Sequence, residues 1–367
     1  MDRDVPYIKR ALRLARRGMG TTNPNPMVGA VLVKNGRVIG EGYHRRPGEP
    51  HAEVLAIRNA TEDPKGAELY LNLEPCCHYG RTPPCVDLII SSGIKRVVAS
   101  IPDPNPLVNG RSFEKLRAAG VEVRVGVLSA EATRLNERFI YFMKRGKSFV
   151  LVKAALTLDG KIASASGRSE WITGEKARRF VHRLRYQYDG ILVGARTVII
   201  DDPLLTIRYY PKRKPLFRIV LDASLRVPEE ARLFSTKDEG PILVFTTDAA
   251  PQDKVKRLQK KGIELIIVKG SERRVFLPEV MDVLKDRGVQ SLIVEGGSEV
   301  IGSFLAAGLA VKLLLIYSPR ILGGERAVPL VRGVGERMMD EAFRVYHLSS
   351  FRLGEDLAVE GYFIPEV

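Results

Sequence analysis

The chain has 367 residues, with 58 Lys and Arg against 43 Asp and Glu and a formal net charge of +15. No apolar run is long enough to span a bilayer and no signal peptide is evident, so a cytoplasmic protein of two domains is expected, each able to bury its own core. Such a charge suits nucleic acid, a membrane surface or anionic small molecules and does not choose among them; the basic residues are spread along the whole chain, with no basic tail and no arginines interleaved with aromatics, so nucleic-acid binding gains little.

Residues 5–17 place Ile8, Leu12 and Ala15 on one face and arginines on the other, a helix with a solvated basic face that Gly18 ends. Thr22-Asn23-Pro24-Asn25-Pro26 is a rigid turn. Residues 27–34 read as a buried strand, Asn35-Gly36 as a hairpin turn, and residues 37–43 as the returning strand. That strand delivers His44, and His51-Ala52-Glu53 then opens a helix. A strand over 68–73 leads into Glu74-Pro75-Cys76-Cys77-His78-Tyr79-Gly80-Arg81-Thr82-Pro83-Pro84-Cys85.

One imidazole and two thiolates, from His51, Cys76 and Cys85, are a soft three-ligand set that suits zinc and leaves a fourth position for water. The glutamate two residues after the histidine is no ligand. At that spacing it can take a proton from water and give it to departing ammonia, the layout of a zinc aminohydrolase. Two residues normally stand between the cysteines, whereas here eight do, Cys77 to Pro84. The longer loop brings polar and cationic groups beside the metal, as a phosphorylated substrate requires. A structural zinc knuckle closed by His78, His44 or Cys77 has the same donors but no use for Glu53. Cys77 reads as a small packed residue. All three cysteines of the chain fall in this window, which speaks for a metal set over a disulfide framework.

Beyond the cysteines, strands over 96–100 and 121–127 alternate with helices from Pro84 and near 113–119, an α/β layered unit. Pro84 suits a first helical position, with Cys85 in the first turn. One long helix over 130–143 closes the unit, and Lys144-Arg145-Gly146-Lys147 reads as the linker between domains 1–146 and 147–367. The second half opens with a buried strand over 149–156. In Ser169-Glu170-Trp171-Ile172-Thr173-Gly174, Thr173 can cap a helix over 175–188. A strand over 190–193 precedes Ala195 to Arg208, whose Asp201-Asp202-Pro203 reads as a turn. A strand over 291–294 runs into Glu295-Gly296-Gly297-Ser298 and a helix over 299–307, a layout that can cradle phosphate. Residues 313–317 and 343–364 read as strands, the latter folded at Gly354-Glu355 into a hairpin added to a sheet edge.

His51-Ala-Glu53, Glu74-Pro-Cys76 and His78-Tyr-Gly-Arg-Thr-Pro-Pro-Cys85, joined to Ser169-Glu-Trp171, Asp201-Asp-Pro-Leu-Leu205-Thr-Ile-Arg208 and Val294-Glu295-Gly-Gly297, resemble the bifunctional riboflavin-biosynthesis deaminase/reductase family along essentially the whole chain. The resemblance implies a cytidine-deaminase-like α/β/α layered domain followed by a dihydrofolate-reductase-like α/β domain. It implies zinc-dependent hydrolytic deamination of a diaminohydroxyphosphoribosylaminopyrimidine, then NADPH-dependent reduction of the ribosyl group to ribityl. Carried over motif by motif, His51, Cys76 and Cys85 hold zinc and Glu53 moves protons, while Asn25, His44, His78 and Arg81 contact substrate. In the reductase, Lys153, Ser169, Arg185, Leu205, Arg208 and Glu295 resemble the substrate set, with Lys153 and Asp201 as partners for sugar opening and protonation and Arg185 and Arg208 as phosphate-binding forks. Ala154, Trp171, Thr197, Asp201, Gly297, Ser298, Glu299, Val300, Ile301, Gly302 and Ser303 resemble the NADPH set. After Leu221-Asp222 a serine is expected on the cofactor; this chain has Ala223, and Ser224 is taken in its place. Val311 stands where an acidic residue is usual, a matter of packing. The resemblance leaves a homo-oligomer as the expected assembly. A tRNA-editing deaminase with an RNA-binding appendage shares the zinc site but leaves the long cysteine loop and the reductase motifs without a role. A binding module with structural zinc leaves Glu53 without one.

Overall fold

A computed structural model describes residues 2–366 apart from 81–82, 168–171, 212–213 and 336. Residues Met1–Gly146 and Lys147–Val367 form two compact units. In the first, α1 (Val5–Ala15) precedes β1 (Gly29–Lys34), β2 (Arg37–Tyr43), α2 (Ala52–Arg58), β3 (Glu68–Leu71), α3 (Cys85–Ser91), β4 (Arg96–Ala99), α4 (Arg111–Ala118), β5 (Glu122–Val125), α5 (Ser129–Leu135) and α6 (Glu137–Arg145). The five strands lie in the order β2-β1-β3-β4-β5. The hairpin β1–β2 turns at Asn35 and Gly36, both at positive φ, as that dipeptide dictates.

Alternation along β1 divides the core between the two faces. Ala30 and Leu32 pack with Ala52, Ala56, Val86, Ile89 and Leu116 of α2, α3 and α4. Val31 and Val33 face Ile8, Ala11, Leu12, Ala132 and Ile140 of α1, α5 and α6. The unit is therefore an α/β/α sandwich. The helix expected over 130–143 is broken in two at Asn136. Its buried side chain is recruited away from the helix: Oδ1 accepts the Met27 N–H and Nδ2 donates to the Met27 carbonyl, both at 2.9 Å. A side-chain amide that satisfies a strand entry competes with helix continuation. Helix periodicity alone did not reveal it.

The second unit contains β6 (Phe149–Thr157), β7 (Lys161–Ala163), α7 (Glu175–Gln187), β8 (Gly190–Gly194), α8 (Ala195–Asp201), β9 (Phe217–Leu221), α9 (Arg232–Ser235), β10 (Ile242–Thr246), α10 (Gln252–Lys260), β11 (Glu264–Ile267), α11 (Leu277–Asp286), β12 (Ser291–Val294), α12 (Ser298–Ala306), β13 (Lys312–Ser318), β14 (Val328–Pro329), β15 (Tyr346–Leu353) and β16 (Asp356–Tyr362). Nine strands form one sheet in the order β11-β10-β9-β8-β12-β6-β13-β16-β15. All neighbours are parallel except β13–β16 and β15–β16. The terminal hairpin at the sheet edge is as expected. The parallel strands read as continuous apolar runs because both faces are covered: Val193, Val220 and Val244 on one side with Val255 and Leu258, Leu192, Ile219, Leu243 and Phe245 on the other with Val280, Leu284 and Phe304.

Three local expectations are corrected. Gly174, not Thr173, is the cap residue of α7, and its N–H goes to the Asp356 carboxylate at 2.8 Å. Pro84 is the cap residue of α3 and Cys85 its first helical residue. Asp201 ends a helix, α8, that the turn reading of Asp201-Asp202-Pro203 did not foresee. Val311 is buried and hydrogen-bonded to Val150 and Phe363, a packing position.

Candidate active sites

In the first unit α2 brings up His51 as its cap residue and Glu53 in its first turn. It approaches β2 closely because β2 is glycine at Gly40 and Gly42. A Cβ on Gly42 would lie 2.3 Å from the Ala52 carbonyl oxygen, and one on Gly40 2.2 Å from that of Ala56. The cysteines arrive from the other side, Cys76 from the loop after β3 and Cys85 from the start of α3. His51 Nδ1 lies 3.5 Å from Cys76 Sγ and 3.3 Å from Cys85 Sγ. Zinc bonds of about 2.3 Å to sulfur and about 2.0–2.1 Å to nitrogen set a sulfur–nitrogen edge of about 3.5 Å in a tetrahedron, so the donor set fits the ion. Among the described residues these three form the His/Cys/Asp/Glu group able to hold a metal. Cys77 instead packs against the core, its Sγ directed at the Leu107 carbonyl.

The two thiols are shifted in opposite directions. Hydrogen bonding from Cys85 holds Cys76 down at about 4, against burial and with help from His51, while the Cys76 sulfur and burial push Cys85 up. Glu53 is 3% exposed; burial raises its pKa, opposed by the charge of His51. Its Oε2 has no protein partner, an oxygen free for substrate or water. Asn25 Nδ2 sits 3.0 Å from His44 Nε2. The His44 ring meets that of His51 edge-on at 5.2 Å, and burial, then His51, lower its pKa. Neutral His44 therefore accepts from Asn25 at Nε2 and turns Nδ1–H toward Pro50 O, 3.5 Å away. His78 is half-buried with Nδ1 unpartnered. Arg81 lies outside the described residues.

A brace behind the metal loop is not legible in the sequence. The Glu74 carboxylate accepts the backbone N–H groups of Asp103, Gly110 and Ser112 at 3.0, 2.9 and 3.1 Å, and Ser112 Oγ donates to Pro75 O at 2.5 Å. Three amides on one carboxylate tie the Cys76 loop to the start of α4. A glutamate two residues before a cysteine carries no mark of that role in sequence.

In the second unit a cavity of about 390 Å³ opens at the carboxyl ends of the parallel strands, the usual place for a ligand in such a sheet. Lys153 and Ala154 of β6, Thr197 and Asp201 of α8, Leu205, Glu295, Gly297, and Ser298, Glu299, Val300, Ile301 and Ser303 of α12 line it, with Arg185 of α7. Of the residues predicted here, Arg208, Ser224 and Gly302 do not line it, and Ser169 and Trp171 lie outside the described residues. Ala223 lines the cavity itself, so the departure at that position falls on the wall. Gly302 acts from behind: a Cβ there would lie 2.0 Å from the Arg332 carbonyl oxygen, so its lack of a side chain lets the Arg332 strap lie on α12. Gly194, at the start of α8, likewise admits Val300, whose Cγ2 would be 2.8 Å from a Cβ.

At one end of the cavity Lys153, Glu295 and Arg185 form a charged cluster. Arg185 meets Glu295 with two parallel bonds, Nε at 3.1 Å and Nη2 at 2.9 Å, and gives Nη1 to Thr206 O at 3.1 Å. Burial would raise Glu295, but Arg185 and Lys153 outweigh it and hold the carboxyl at about 2. Burial, opposed by Glu295, lowers Lys153, which favours a group able to exchange protons. The Arg185 fork is thus occupied by Glu295, and Arg208 is the more exposed of the two predicted phosphate cations. The other end is unlike the first. Leu221, Ala223, Val275, Leu277 and Val300 make an aliphatic slot, and Arg226, Arg273, Arg274 and Arg332 stand around it. Arg226 has only a 3.9 Å approach to Asp222, and the other three have no carboxylate partner among the described residues. An aliphatic lining with four guanidinium groups, three of them without a carboxylate partner among the described residues, suits an adenine with phosphates. The four arginines come from distant segments of a chain rich in arginine, so sequence could not single them out.

Residues 1–101 match the family model of the cytidine and deoxycytidylate deaminase zinc-binding region, and residues 148–359 that of the RibD C-terminal domain. A protein of Aquifex aeolicus (strain VF5) named riboflavin biosynthesis protein RibD is 44% identical over 356 residues, 97% of each chain. One of the same name from Escherichia coli (strain K12) is 41% identical over 335 residues, 88% of this chain and 89% of that one. Among solved structures, a Thermotoga maritima diaminohydroxyphosphoribosylaminopyrimidine deaminase/5-amino-6-(5-phosphoribosylamino)uracil reductase is similar at 39% identity and TM-score 0.85, as is Acinetobacter baumannii RibD at 33% and 0.85, each over 98% of both chains.

Proposed function

This chain belongs to the RibD family of riboflavin biosynthesis proteins, and we propose how its own residues carry out the two reactions. It is a bifunctional enzyme that deaminates diaminohydroxyphosphoribosylaminopyrimidine with zinc and reduces the ribosyl side chain of the aminouracil product with NADPH. Residues 1–146 carry the first reaction and residues 147–367 the second.

The observation that carries the deaminase half is the buried, unpartnered Glu53 Oε2 beside three metal donors. His51, Cys76 and Cys85 would hold zinc, which would supply the Lewis acidity that makes water nucleophilic near neutral pH. Glu53 accepts the proton of that water as the oxygen adds to the ring carbon, and returns it to the exocyclic nitrogen, which leaves as ammonia. Asn25 and His44, locked in one tautomer, orient the pyrimidine, with His78 and Arg81 as further substrate contacts.

In the reductase half the aliphatic lining and its arginines would hold the adenosine end of NADPH, whose reduced nicotinamide would supply the hydride. Ala154, Thr197, the segment from Gly297 to Ile301 and Ser303 would contact it, with Trp171 as a further contact and Ala223 at the wall position expected of Ser224. The sugar must open to a C=N bond before hydride can add at its first carbon. Lys153 and Asp201 move the protons of that opening and of the amine formed, while Glu295, held ionised by Arg185, keeps Lys153 oriented. Ser169, Leu205 and Arg208 complete the substrate contacts. The enzyme acts in the cytoplasm as a homo-oligomer, without nucleic acid or membrane. No described helix is long and apolar enough to cross a membrane, and three unpaired cysteines suit a reducing compartment.

The test is a coupled assay on the purified full chain, with ammonia release and NADPH oxidation followed separately. Ammonia without NADPH, and NADPH oxidation only after deamination, are the expected results. Absence of ammonia from zinc-loaded protein sinks the deaminase half, and absence of NADPH oxidation with the deaminated substrate sinks the reductase half.

A further inference from the structure

His182 lies on α7, one turn before Arg185, and is 4% exposed. Both of its ring nitrogens meet the same residue. The Arg208 backbone N–H is 3.2 Å from Nδ1, and Arg208 Nε and Nη2 each lie 3.3 Å from Nε2. Burial, then Arg185 and Arg208, keep the ring neutral, with its pKa lowered to about 4. A neutral imidazole has one lone-pair nitrogen and one N–H. Whichever nitrogen carries the proton, one of the two contacts sets a donor against a donor.

The main chain decides which contact is good. Thr206 and Ile207 are buried and Thr206 O is held by Arg185, so the Arg208 amide cannot turn away from the ring. Nδ1 must accept it, and Nε2–H then opposes the guanidinium. That guanidinium is exposed and has no carboxylate partner among the described residues. The Tyr209 ring closes the other side of the imidazole, edge-on at 5.0 Å. The imidazole therefore anchors the Arg208 backbone and leaves its charge unspent, three residues after Leu205 of the cavity wall.

We propose that His182 is a positioning residue for the reductase substrate: it fixes the Arg208 main chain through Nδ1 and denies the guanidinium an acceptor, so that the cation is free for the phosphate of the incoming substrate. The inference rests on the reductase reading given above. Arg185, already bound to Glu295, cannot take this part without giving up that pair. A carboxylate in place of His182 would satisfy the guanidinium and defeat the device; an imidazole does not.

The experiment measures reductase kinetics of the full chain with the deaminated phosphorylated substrate and with its dephosphorylated analogue. For His182→Phe, KM for the phosphorylated substrate is expected to rise at least tenfold ("tenfold" being about 1.4 kcal/mol), with KM for NADPH unchanged and the dephosphorylated analogue unaffected. His182→Gln, whose amide oxygen can accept the Arg208 N–H, should recover most of the loss. In the Arg208→Ala background, His182→Phe should add little. Histidine nitrogen NMR on the wild type gives a readout that needs no variant to fold: the chain has five histidines, and His182 should show the Nε2–H tautomer with and without ribose 5-phosphate. Equal losses for Phe and Gln, additive effects with Arg208→Ala, a loss that extends to the dephosphorylated analogue, or an Nδ1–H tautomer would each overturn the proposal. Wild-type protein that does not oxidise NADPH at all would instead overturn the reductase reading on which it stands.

Discussion

Glu53 and the arginines of the reductase slot show how single side chains take their roles from what surrounds them. Glu53 is kept from the metal by its place in the first turn of α2 and kept from any protein partner at Oε2. Glu53→Gln should therefore lower ammonia release by about 10²–10⁴-fold, the usual worth of a positioned acid–base group, while metal analysis finds zinc still bound. Zinc lost together with activity would mean that the carboxylate is a ligand or a brace. The arginines invite a different measurement. If Arg226 and Arg274 hold the phosphate that distinguishes NADPH from NADH, replacing either by Ala removes charged hydrogen bonds worth about 1.5–3 kcal/mol. The ratio of kcat/KM for NADPH over NADH should fall about 10–100-fold, through the NADPH value alone. A ratio that does not move would place the phosphate on Arg273 or Arg332.

At the scale of elements, the zinc site depends on how closely α2 lies on β2. Gly42 meets the Ala52 carbonyl, the Leu55 Cβ and the Ala56 amide so tightly that a methyl group has nowhere to go. Gly42→Ala should cost about 1–3 kcal/mol or more, because the clash is with backbone that cannot rotate away. Since α2 carries both His51 and Glu53, the displacement should also weaken zinc retention, read as faster loss to a chelator, with NADPH oxidation unaltered. The Val-Ile-Gly-Glu-Gly-Tyr pattern of β2 was readable as a strand. Its two glycines acquired meaning only when the helix was seen above them. Asn136 teaches the same point in reverse, as its helix-compatible setting gave no hint that Met27, 109 residues away, would claim its side chain.

At the scale of the molecule, two units with separate cores and separate sites predict separable behaviour. Removing zinc with a chelator should abolish ammonia release and leave NADPH oxidation intact when deaminated substrate is supplied. Loss of both activities together would show that the units depend on each other. In the first unit the response to acid centres on Asp4. Hydrogen bonds from Arg96, against the cost of burial and aided by Arg124 and Tyr70, hold Asp4 at about 2. A carboxyl depressed in the fold stabilises it above the unfolded pKa of about 3.9, and that stability drains away as pH falls through about 2. Asp4→Asn should lower the stability of the first unit at neutral pH by about 3 kcal/mol, the cost of removing one partner of a buried pair. It should also flatten the fall in melting temperature between pH 4 and pH 2, a window set by the unfolded value and by the depressed one. An equal fall in both proteins would show that Asp4 does not carry the acid response.

By itself the sequence determined what is local. Period-two and period-3.6 runs placed most strands and helices, Asn35-Gly36 placed the hairpin, and the donor types of His51, Cys76 and Cys85, with Glu53 at a two-residue spacing, specified zinc chemistry before any coordinates. These features are legible because ligand chemistry and backbone periodicity are written in neighbouring residues. Only the tertiary structure decided what depends on distant segments meeting. It put Glu295 in the fork of Arg185, gathered four arginines around one aliphatic slot, set Ala223 instead of Ser224 on the cavity wall, and turned both nitrogens of His182 toward Arg208. A charge or hydrogen-bond donor has no partner in sequence. Its role is fixed by which chain segment folding brings within about 3 Å of it, the range over which hydrogen bonds act.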